Sequence, residues 1–340
     1  MSILITGASG FVGSHLVDEA LQRGMEVWAA VRPSSSRRYL QDKRIHFIEL
    51  DFSSEEKLVQ QLEGHAFDYV VHAAGVTKCV HPDDFHRVNT EGTQHLVNAI
   101  LKLKMPIKRF IYISTLGVFG AIREQKPFTE INEHDTPLPN TAYGKSKLEA
   151  ERYLDSIGND FPYIILRPTG IYGPREKDYF LMVNSIARHL DFAAGFSRQD
   201  ITFVYILDVV QAVFLAIDRG MSGRKYFLTD GGVYQSDTFS DLIRQELGNP
   251  WCVRLKAPLW LLRIITACGE LVGRKTGKPI ALNNDKYNIL RQRNWRCNIE
   301  PTMDELGYHP HYNLEQGVKE TVKWYRENHW LSRKAAPKNQ

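Results

Sequence analysis

The chain has 340 residues, 24% of them charged, and a net charge of +4. This length allows one large α/β unit or two domains, and the charge is too small to indicate a nucleic-acid partner. No stretch of about eighteen uncharged apolar residues is present, which excludes a membrane-spanning helix. The first predicted strand begins at Ser2, so we expect a cytoplasmic protein without a signal peptide. The cysteines form no metal-type cluster with histidine, and we expect no metal site and reduced thiols at Cys79, Cys252, Cys268 and Cys297.

The first fifteen residues predict a buried strand, a glycine turn and the start of a helix. The strand covers residues 2–6, and Gly7, Gly10 and Gly13 follow at intervals of three residues. Gly7 allows a tight turn, Gly10 lets the backbone approach phosphates, and Gly13 lets the helix close on the strand. Because the amino terminus of a helix attracts anions, this pattern predicts a dinucleotide site, the alternative being an ordinary turn with spare glycines. Its predicted contacts are Gly7, Ser9, Gly10, Phe11, Val12 and Gly13.

Strands and helices alternate along the first half of the chain. Strands are predicted over 25–32, 46–50, 69–72, 109–114 and 163–166, and helices over 85–103 and 142–154. This alternation is typical of a doubly wound parallel sheet, the Rossmann fold, in which ligands bind beyond the carboxyl ends of the strands. Several residues fall just past predicted strand ends and are therefore candidates for ligand contact: Gly7, Arg32, Asp51, Ala73, Thr115 and Arg167.

The second half of the chain departs from this alternation. A helix is predicted over 179–189, a strand over 201–206, a helix over 208–217 and a strand over 225–228, and from residue 236 the pattern is mainly helical. We expect a dinucleotide-binding domain over 1–175, to which 201–230 returns, and a smaller, mainly helical substrate lobe over 176–200 and 231–331. Residues 332–340 lack apolar periodicity and are expected to be disordered.

Tyr143 and Lys147 lie four residues apart on a predicted helix, so their side chains project from one face. A free tyrosine has a pKa of about 10, which is too high for a base at neutral pH. A neighbouring ammonium favours the phenolate, so we expect Lys147 to lower the pKa of Tyr143. The pair then predicts a proton donor and acceptor for a carbonyl or carbinol oxygen, with Thr115 or Ser114 donating a hydrogen bond to the same oxygen. A surface tyrosine beside solvated lysines is the alternative.

With these motifs the chain resembles the extended short-chain dehydrogenases/reductases over about residues 1–331. The resemblance rests on an ordered set: Gly7-x-x-Gly10-x-x-Gly13, Asp51, His72–Ala–Ala–Gly75, Asn89-x-x-Gly92–Thr93, Ser114–Thr115, Tyr143-x-x-x-Lys147, Arg167–Pro168 and Asp208. It implies an NAD(P)-dependent enzyme in which Tyr143, Lys147 and Thr115 are catalytic and Lys147 binds the nicotinamide ribose. The family pattern places Thr115 rather than Ser114 at the hydroxyl position. It also implies a homodimer formed through the helices near 85–103 and 142–158.

The resemblance also assigns cofactor contacts beyond the glycine turn. Asp51 is expected to accept a hydrogen bond from the adenine amino group, and the other contacts are Phe52, Ala73, Ala74, Gly75 and Pro168. Relatives that use NAD commonly carry an acid at the end of the second strand. Here Arg32 stands at that place, followed by serines and arginines, and nothing repels a 2′-phosphate. We therefore expect NADP to be preferred over NAD, the alternative being a solvated basic loop that accepts either.

Three features narrow the reaction. Sugar-nucleotide dehydratases of the family place Asp–Glu after the catalytic threonine, where this chain has Leu116 and Gly117, so elimination by that route is disfavoured. Nucleotide-sugar epimerases commonly carry an arginine seven residues before the late aspartate, and this chain has Ile201 seven residues before Asp208. Residues 256–278 form an unusually apolar predicted helix, which indicates ordinary packing, a lid over an apolar substrate or a contact with a membrane surface. The last part of the chain resembles the hydroxysteroid-dehydrogenase- and dihydroflavonol-reductase-like members of the family. The resemblance there rests on Asn284–Asp285–Lys286, Trp295–Arg–Cys297, Glu305–Leu–Gly307 and Trp324–Tyr325.

These observations predict an NAD(P)-dependent oxidoreductase that transfers a hydride between nicotinamide and a secondary alcohol or ketone of an apolar small molecule. A nucleotide-sugar epimerase and an inactive NAD(P)-binding regulatory protein are the alternatives. Three further residues receive structural roles. We expect His72 to be a buried, hydrogen-bonded histidine, Asn89 to support the backbone of the site, and Asp208 to cap the helix that it precedes.

Overall fold

The computed structural model describes residues 1–158, 161–280 and 282–331, so the predicted disorder of 332–340 lies outside the described residues. Its strands, numbered in chain order, are β1 (Ser2–Thr6), β2 (Glu26–Val31), β3 (His46–Glu49), β4 (Tyr69–His72), β5 (Arg109–Ile113), β6 (Tyr163–Pro168), β7 (Gly170–Tyr172), β8 (Leu190–Ala194), β9 (Asp200–Ile201), β10 (Phe203–Tyr205), β11 (Lys225–Leu228), β12 (Tyr234–Gln235) and β13 (Val253–Ala257).

The helices are likewise numbered in chain order. They are α1 (Phe11–Gln22), α2 (Glu55–Leu62), α3 (Pro82–Phe85), α4 (Gly92–Lys102), α5 (Ala142–Ile157), α6 (Asp178–Ala187), α7 (Ile206–Arg219), α8 (Thr238–Glu246), α9 (Leu259–Thr276), α10 (Asn284–Arg291), α11 (Glu300–Leu306) and α12 (Leu314–Glu327), with a π-helical turn at His86–Glu91 and a 3₁₀ turn at Leu116–Val118. None of the helices in the described residues is both long enough and apolar enough to cross a membrane.

Seven parallel strands form the central sheet in the order β11–β6–β5–β4–β1–β2–β3. β1 is an uninterrupted apolar run because both of its faces are covered. Ile3 and Ile5 share a buried cluster with side chains of α1 and α7, and Leu4 shares another with α2, α4 and α5. The strand order reverses between β1 and β4, which is where doubly wound sheets bind ligands. The predicted fold class is confirmed.

The second half of the chain adds β11 to the sheet and α7 to its covering layer, and otherwise forms small strand pairs and helices. β8 pairs with β13, β9 with β12 and β10 with β7. The prediction of one strand over 201–206 is therefore wrong, because the chain changes partner at Thr202. The Thr202 hydroxyl donates to the carbonyl oxygen of Trp295 at 2.6 Å, which separates β9 from β10. Within 201–230, only β11 joins the central sheet.

The predicted continuous helix over 85–103 is divided into α3, the π-helical turn and α4. The wide turn contains the buried Asn89, which bonds both backbone groups of Val76. Its side-chain oxygen accepts from the Val76 N–H at 2.8 Å, and its side-chain amide donates to the Val76 carbonyl at 3.0 Å. Such turns often occur at functional sites. The supporting role expected of Asn89 is confirmed, and it accounts for the interruption.

The capping role expected of Asp208 is wrong. α7 begins two residues earlier, at Ile206, so Asp208 lies inside the first turn of the helix. Its carboxylate accepts hydrogen bonds from the backbone N–H groups of His311 at 2.8 Å and Tyr312 at 3.2 Å. Asp208 therefore fastens the segment before α12 to the core.

Candidate active site

The turn between β1 and α1 has no room for side chains at two of its glycines. Gly7 has a φ of +66°, and a Cβ there would lie 2.7 Å from the carbonyl oxygen of Ala73. A Cβ at Gly13 would lie 2.2 Å from the carbonyl oxygen of Gly7. The backbones of the turn, of α1 and of the segment after β4 therefore approach one another as closely as glycine permits.

The amino terminus of α1 is available to an anion. Within the described ranges no side chain caps this helix at Gly10, and its first turn carries no acidic residue. Its first N–H groups therefore keep a partial positive charge. The close backbone and the uncapped helix fit an anionic dinucleotide, because together they supply donors without side chains in the way.

A cavity of about 1450 Å³ begins at this turn, passes α5 and continues into the lobe. Every predicted cofactor and catalytic residue but one lines it: Gly7, Ser9, Gly10, Phe11, Val12, Gly13, Arg32, Phe52, Ala73, Ala74, Gly75, Thr115, Tyr143, Lys147 and Pro168. The exception is Asp51, whose carboxylate lies 2.7 Å from the Lys57 ammonium in α2. Lys57 holds the pKa of Asp51 well below its usual range and draws the carboxylate toward α2. The adenine contact assigned to Asp51 stays a prediction.

Arg32 follows β2 and reaches the cavity wall, as does Ser35. The backbone N–H of Arg32 donates to the Ser35 hydroxyl at 3.0 Å, which closes the turn between them. Arg37 stacks on the ring of Phe47 at 4.2 Å and does not line the cavity. Arg32 and Ser35 are therefore the residues that this turn places at the cavity.

α5 brings Tyr143 and Lys147 to the cavity wall, as their spacing predicts. Lys147 is 4% exposed, and its Nζ lies 4.1 Å from the centre of the Tyr112 ring. Burial lowers the pKa of Lys147 to about 7, and the charge of Glu151 opposes that shift. Burial raises the pKa of Tyr143 to about 12. The expected lowering of the Tyr143 pKa is wrong for the protein on its own, because burial disfavours the charged phenolate.

Glu151 continues the row of Tyr143 and Lys147 by one more helical turn and is fully buried. Its carboxylate accepts from the Ser114 hydroxyl at 2.5 Å and from Arg167 at 2.5 Å and 3.1 Å. These bonds connect α5 to the carboxyl ends of β5 and β6. Glu151 and Arg167 are therefore paired inside the core, and they fix the depth at which α5 lies against the sheet.

Thr115 lines the cavity, and its hydroxyl oxygen accepts from the Gly117 N–H at 3.0 Å. A hydroxyl accepts and donates at once, so the hydrogen of Thr115 stays available to a ligand. Ser114 donates its hydrogen to Glu151. The geometry favours Thr115 over Ser114, and Leu116 and Gly117 offer no acid or base.

His72 has the structural role expected of it. Its two ring nitrogens lie 2.7 Å from the Thr6 hydroxyl and 3.0 Å from the Thr93 hydroxyl. Burial lowers the pKa of His72 to about 3, so the ring stays neutral. The Thr6 hydroxyl also accepts from the Ala74 N–H at 3.1 Å, which holds the segment after β4 in place.

Sequence reasoning missed the contribution of α10. Asp285 accepts hydrogen bonds from the N–H groups of Ala142 at 3.0 Å and Tyr143 at 3.1 Å, so it caps α5 from the lobe. Lys286 follows it, lines the cavity, and has its pKa lowered by burial. An aspartate near the start of a helix usually indicates the amino-terminal cap of that same helix. In α10, however, the cap is Asn283, so Asp285 is free to cap α5. Nothing local shows that Asp285 caps a helix 142 residues away.

Beyond Tyr143 the cavity wall is mainly apolar and comes from the lobe, with Glu176, Asp178, Asp191, Lys256 and Lys286 as its charged members. Its side chains belong to α6, β8, β13, α9 and α10, among them Leu181, Phe192, Leu255, Leu261, Ile265 and Leu290. Ile201 lines it as well. The cations of the described residues that line the whole cavity are Arg32, Lys147, Lys256 and Lys286. The predicted apolar helix over 256–278 is α9, and one of its faces borders the cavity.

A doubly wound sheet whose glycine turn and Tyr–Lys helix share one cavity defines a dinucleotide-dependent α/β enzyme. Residues 3–228 match the model of the NAD dependent epimerase/dehydratase family. The chain belongs to this family, and it is an NAD(P)-dependent enzyme of the extended short-chain dehydrogenase/reductase class.

Its relatives catalyse different reactions. The chain is 27% identical over 333 residues to a UDP-glucose 4-epimerase from Vibrio cholerae, with 94% of each chain covered. It is 28% identical over 332 residues to the 4-hydroxy-2-methyl-3-oxo-4-farnesyl-3,4-dihydroquinoline-1-oxide ketoreductase from Stigmatella aurantiaca, with 94% of this chain and 95% of the relative covered. Among solved structures, a UDP-glucose 4-epimerase from Thermus thermophilus in complex with NAD has a TM-score of 0.77 at 20% identity, covering 96% of this chain and 99% of the other. The chain is thus similar both to epimerases and to a ketone reductase.

Proposed function

We propose that this enzyme reduces a ketone of an apolar small molecule to a secondary alcohol. The observation that carries the proposal is the apolar wall that begins beside Tyr143 and continues to α9. A nucleotide-diphosphate sugar needs cations near its phosphates. Ile201 replaces the arginine that the epimerase pattern has there, and of the two lysines on the lobe side of the cavity Lys256 pairs with Asp237 at 2.9 Å, which leaves Lys286. An apolar ketone needs only one polar end, which Tyr143 and Thr115 supply.

The chain's own residues provide the proton. A bound reduced nicotinamide supplies the hydride. Tyr143, whose pKa burial raises to about 12, holds its proton at neutral pH and donates it to the carbonyl oxygen. Thr115 donates a hydrogen bond to the same oxygen, and Lys147 in its ammonium form stabilises the phenolate until solvent returns a proton. Because the phenol starts protonated, it is ready to act as the acid that ketone reduction requires.

The dinucleotide would be held by the glycine turn, by the segment 73–75 and by Phe52 and Pro168, all of which line the cavity. Its adenosine end would meet the turn at Arg32 and Ser35. We propose that this turn makes NADP the preferred cofactor, since a guanidinium and a hydroxyl bind a 2′-phosphate and the turn carries no acid.

Titration of the purified protein with NADP⁺ and NAD⁺ tests the cofactor preference. We expect NADP⁺ to bind with a Kd lower by about tenfold or more, and Arg32→Ala to remove most of that difference while leaving NAD⁺ binding unchanged. Arg37→Ala is the matched control, because that guanidinium stacks on Phe47 away from the cavity. Tighter binding of NAD⁺ by the unaltered protein would contradict the preference.

The reaction is tested by following reduced nicotinamide absorbance with ketones that carry alkyl tails of increasing length. We expect kcat/KM to rise with the length of the tail. Tyr143→Phe should lower kcat by about a hundredfold or more while the Kd for the cofactor stays within about threefold. Tyr153→Phe is the matched control, because it lies on the same helix but bonds Asn98 outside the cavity.

The second candidate is a nucleotide-sugar epimerase, which the Vibrio cholerae relative favours. An epimerase uses hydride transfer in both directions, so it inverts its sugar with no net change in reduced nicotinamide. Two results together would favour this candidate over the proposal. They are inversion of UDP-glucose with no net change in reduced nicotinamide absorbance, and no turnover of any ketone. The predicted homodimer through α4 and α5 is tested separately by light scattering of the purified protein.

A further inference from the structure

α9 exposes a long apolar face. Trp260, Ile264 and Leu271 lie on one side of the helix, at spacings of four and seven residues, and their side chains are 66%, 53% and 59% exposed. The adjacent row of Leu261, Ile265 and Val272 is 36%, 40% and 50% exposed. The helix rests on the protein through the opposite side, where Thr266 and Gly273 are buried. The apolar face runs from Trp260 to Val272 and is therefore about 18 Å long on a helix of about 27 Å.

The apolar face is accompanied by basic residues at both ends of the helix. Arg263 lies in its first half, and Arg274, Lys275 and Lys278 lie at and beyond its last turn. Arg274 pairs with Glu270 at 2.6 Å, whereas Arg263, Lys275 and Lys278 form no ion pair with any described residue. A helix with an apolar face and cations at both ends fits an anionic lipid surface that lies parallel to its axis.

The exposed face is continuous with the cavity. Leu261 and Ile265 line the cavity and are exposed at the same time. Across the mouth, the paired residues Phe192 of β8 and Leu255 of β13 also line the cavity and are 62% and 46% exposed. The apolar side chains of the cavity wall therefore continue into the exposed apolar face of α9 through Leu261 and Ile265.

We propose that α9, together with the exposed face of β8 and β13, docks on an anionic bilayer surface, from which an apolar substrate enters the cavity. A peripheral helix of this kind lies in the headgroup region with its apolar side chains inserted and its lysines and arginines near the phosphates. The delivery of substrate from the bilayer rests on the proposed ketone reduction. Binding of the chain to the bilayer requires neither substrate nor cofactor.

The test is co-sedimentation of the full chain with vesicles of phosphatidylcholine alone or of phosphatidylcholine and phosphatidylglycerol in equal parts. We expect binding to the mixed vesicles that weakens as salt is added. Trp260→Glu combined with Ile264→Glu should lower the partition coefficient by about tenfold or more. Met221→Glu is the matched control, since Met221 is 53% exposed in the turn after α7.

A second pair of variants tests the charges. Arg263→Glu combined with Lys275→Glu should lower binding to the mixed vesicles by about tenfold and leave the weak binding to pure phosphatidylcholine unchanged. Lys319→Glu, on the exposed side of α12, is the control. Circular dichroism and cofactor titration of each variant establish that the fold is retained.

Three outcomes would overturn the docking surface. The first is no binding to either kind of vesicle, and the second is undiminished binding by the Trp260→Glu, Ile264→Glu variant. The third is a dimer of the unaltered chain that this variant abolishes, without vesicle binding, which would assign the face to a second copy. Ketone reduction is assayed in parallel on a water-soluble ketone without vesicles. Lost docking with intact reduction removes only this inference, and docking without reduction of any ketone removes only the proposed function.

Discussion

At the scale of single residues, the site is held by a buried charge pair of which the sequence motifs include only Arg167, and Arg167 pairs with Glu151 instead of lining the cavity. Glu151 and Arg167 are 0% and 4% exposed, and their ion pair also engages Ser114. A buried pair of this kind adds little net stability compared with apolar residues of the same size, but removal of one partner leaves an uncompensated charge in the core. Its consequence here is the fixed position of α5, and with it of Tyr143.

We expect Glu151→Gln to lower the free energy of unfolding by about 3 kcal/mol, because Arg167 stays buried without a counter-charge. Urea unfolding measures the change. The double substitution Glu151→Leu with Arg167→Met should recover most of the loss, since neither charge remains. Glu49→Gln, at an exposed position of β3, is the control. A loss below about 0.5 kcal/mol for Glu151→Gln would contradict the role assigned to the pair.

The residues that the sequence could predict are those with a local pattern. Gly7 and Gly13 stand in a strand–turn–helix context, and Tyr143 and Lys147 share a helix face, so spacing alone indicates the cavity they line. Asp51 does not line the cavity, because its carboxylate pairs with Lys57, and its adenine contact stays a prediction. The sign of the Tyr143 pKa shift could not be predicted, since it depends on burial by the folded chain.

At the scale of elements, the two halves of the chain meet at the amino terminus of α5. Thr141 accepts from the Gly144 N–H at 2.9 Å, and Asp285 of α10 accepts from Ala142 and Tyr143. The first free N–H groups of α5 are thus satisfied by acceptors from both halves of the chain. The position of Tyr143 therefore depends on how α10 packs.

We expect Asp285→Ala to lower kcat by about tenfold, because loss of the cap lets the first turn of α5 shift away from the substrate oxygen. The KM for the cofactor should stay within about twofold, since the glycine turn is untouched. Asp285→Asn keeps one acceptor and should restore part of kcat, whereas the exposed Asp304→Ala should change neither quantity. Equal kcat in Asp285→Ala and the unaltered enzyme would show that α10 does not position Tyr143.

The predicted bounds of an element agree best with the structure where the hydrophobic pattern of that element alone defines it. β1, β4 and β11 have the predicted bounds, because each is a short apolar run between turns. β8 and β13 were not predicted, since their pairing joins residues such as Asp191 and Arg254, 63 positions apart, and the pattern of each strand alone is ambiguous. The π-helical turn could not be predicted from the sequence, because it depends on the tertiary hydrogen bonds between Asn89 and Val76.

At the scale of the whole molecule, stability depends on histidines that the fold keeps neutral. The Nε2 of His15 lies 3.0 Å from the carbonyl oxygen of Pro174, and burial together with the charge of Arg175 lowers the pKa of His15 from 6.5 to about 4. Between these values the unfolded chain binds a proton that the folded chain does not. The free energy of unfolding therefore falls as the pH drops, by up to about 1.4 kcal/mol per pH unit.

Asp230 opposes this trend, because burial raises its pKa to about 6 and the folded chain keeps a proton that the unfolded chain loses. The contribution of His15 is therefore isolated by comparison. We expect His15→Gln, which keeps a donor for Pro174, to show a smaller loss of stability on acidification than the unaltered protein in urea unfolding at a series of pH values. His134→Gln, with a side chain 87% exposed, is the control. Identical pH dependence in His15→Gln and the unaltered protein would contradict this account.

Asp285 caps the helix that carries Tyr143, and it belongs to a segment that also lines the cavity. The segment 253–290 contributes much of the apolar wall, so it is the natural piece to exchange between relatives when a new substrate is to be accommodated. A graft of that piece also replaces the acceptor for the first amides of α5. Recombined or engineered descendants therefore keep the first turn of α5 capped from this side only when the transplanted segment brings its own carboxylate to that place.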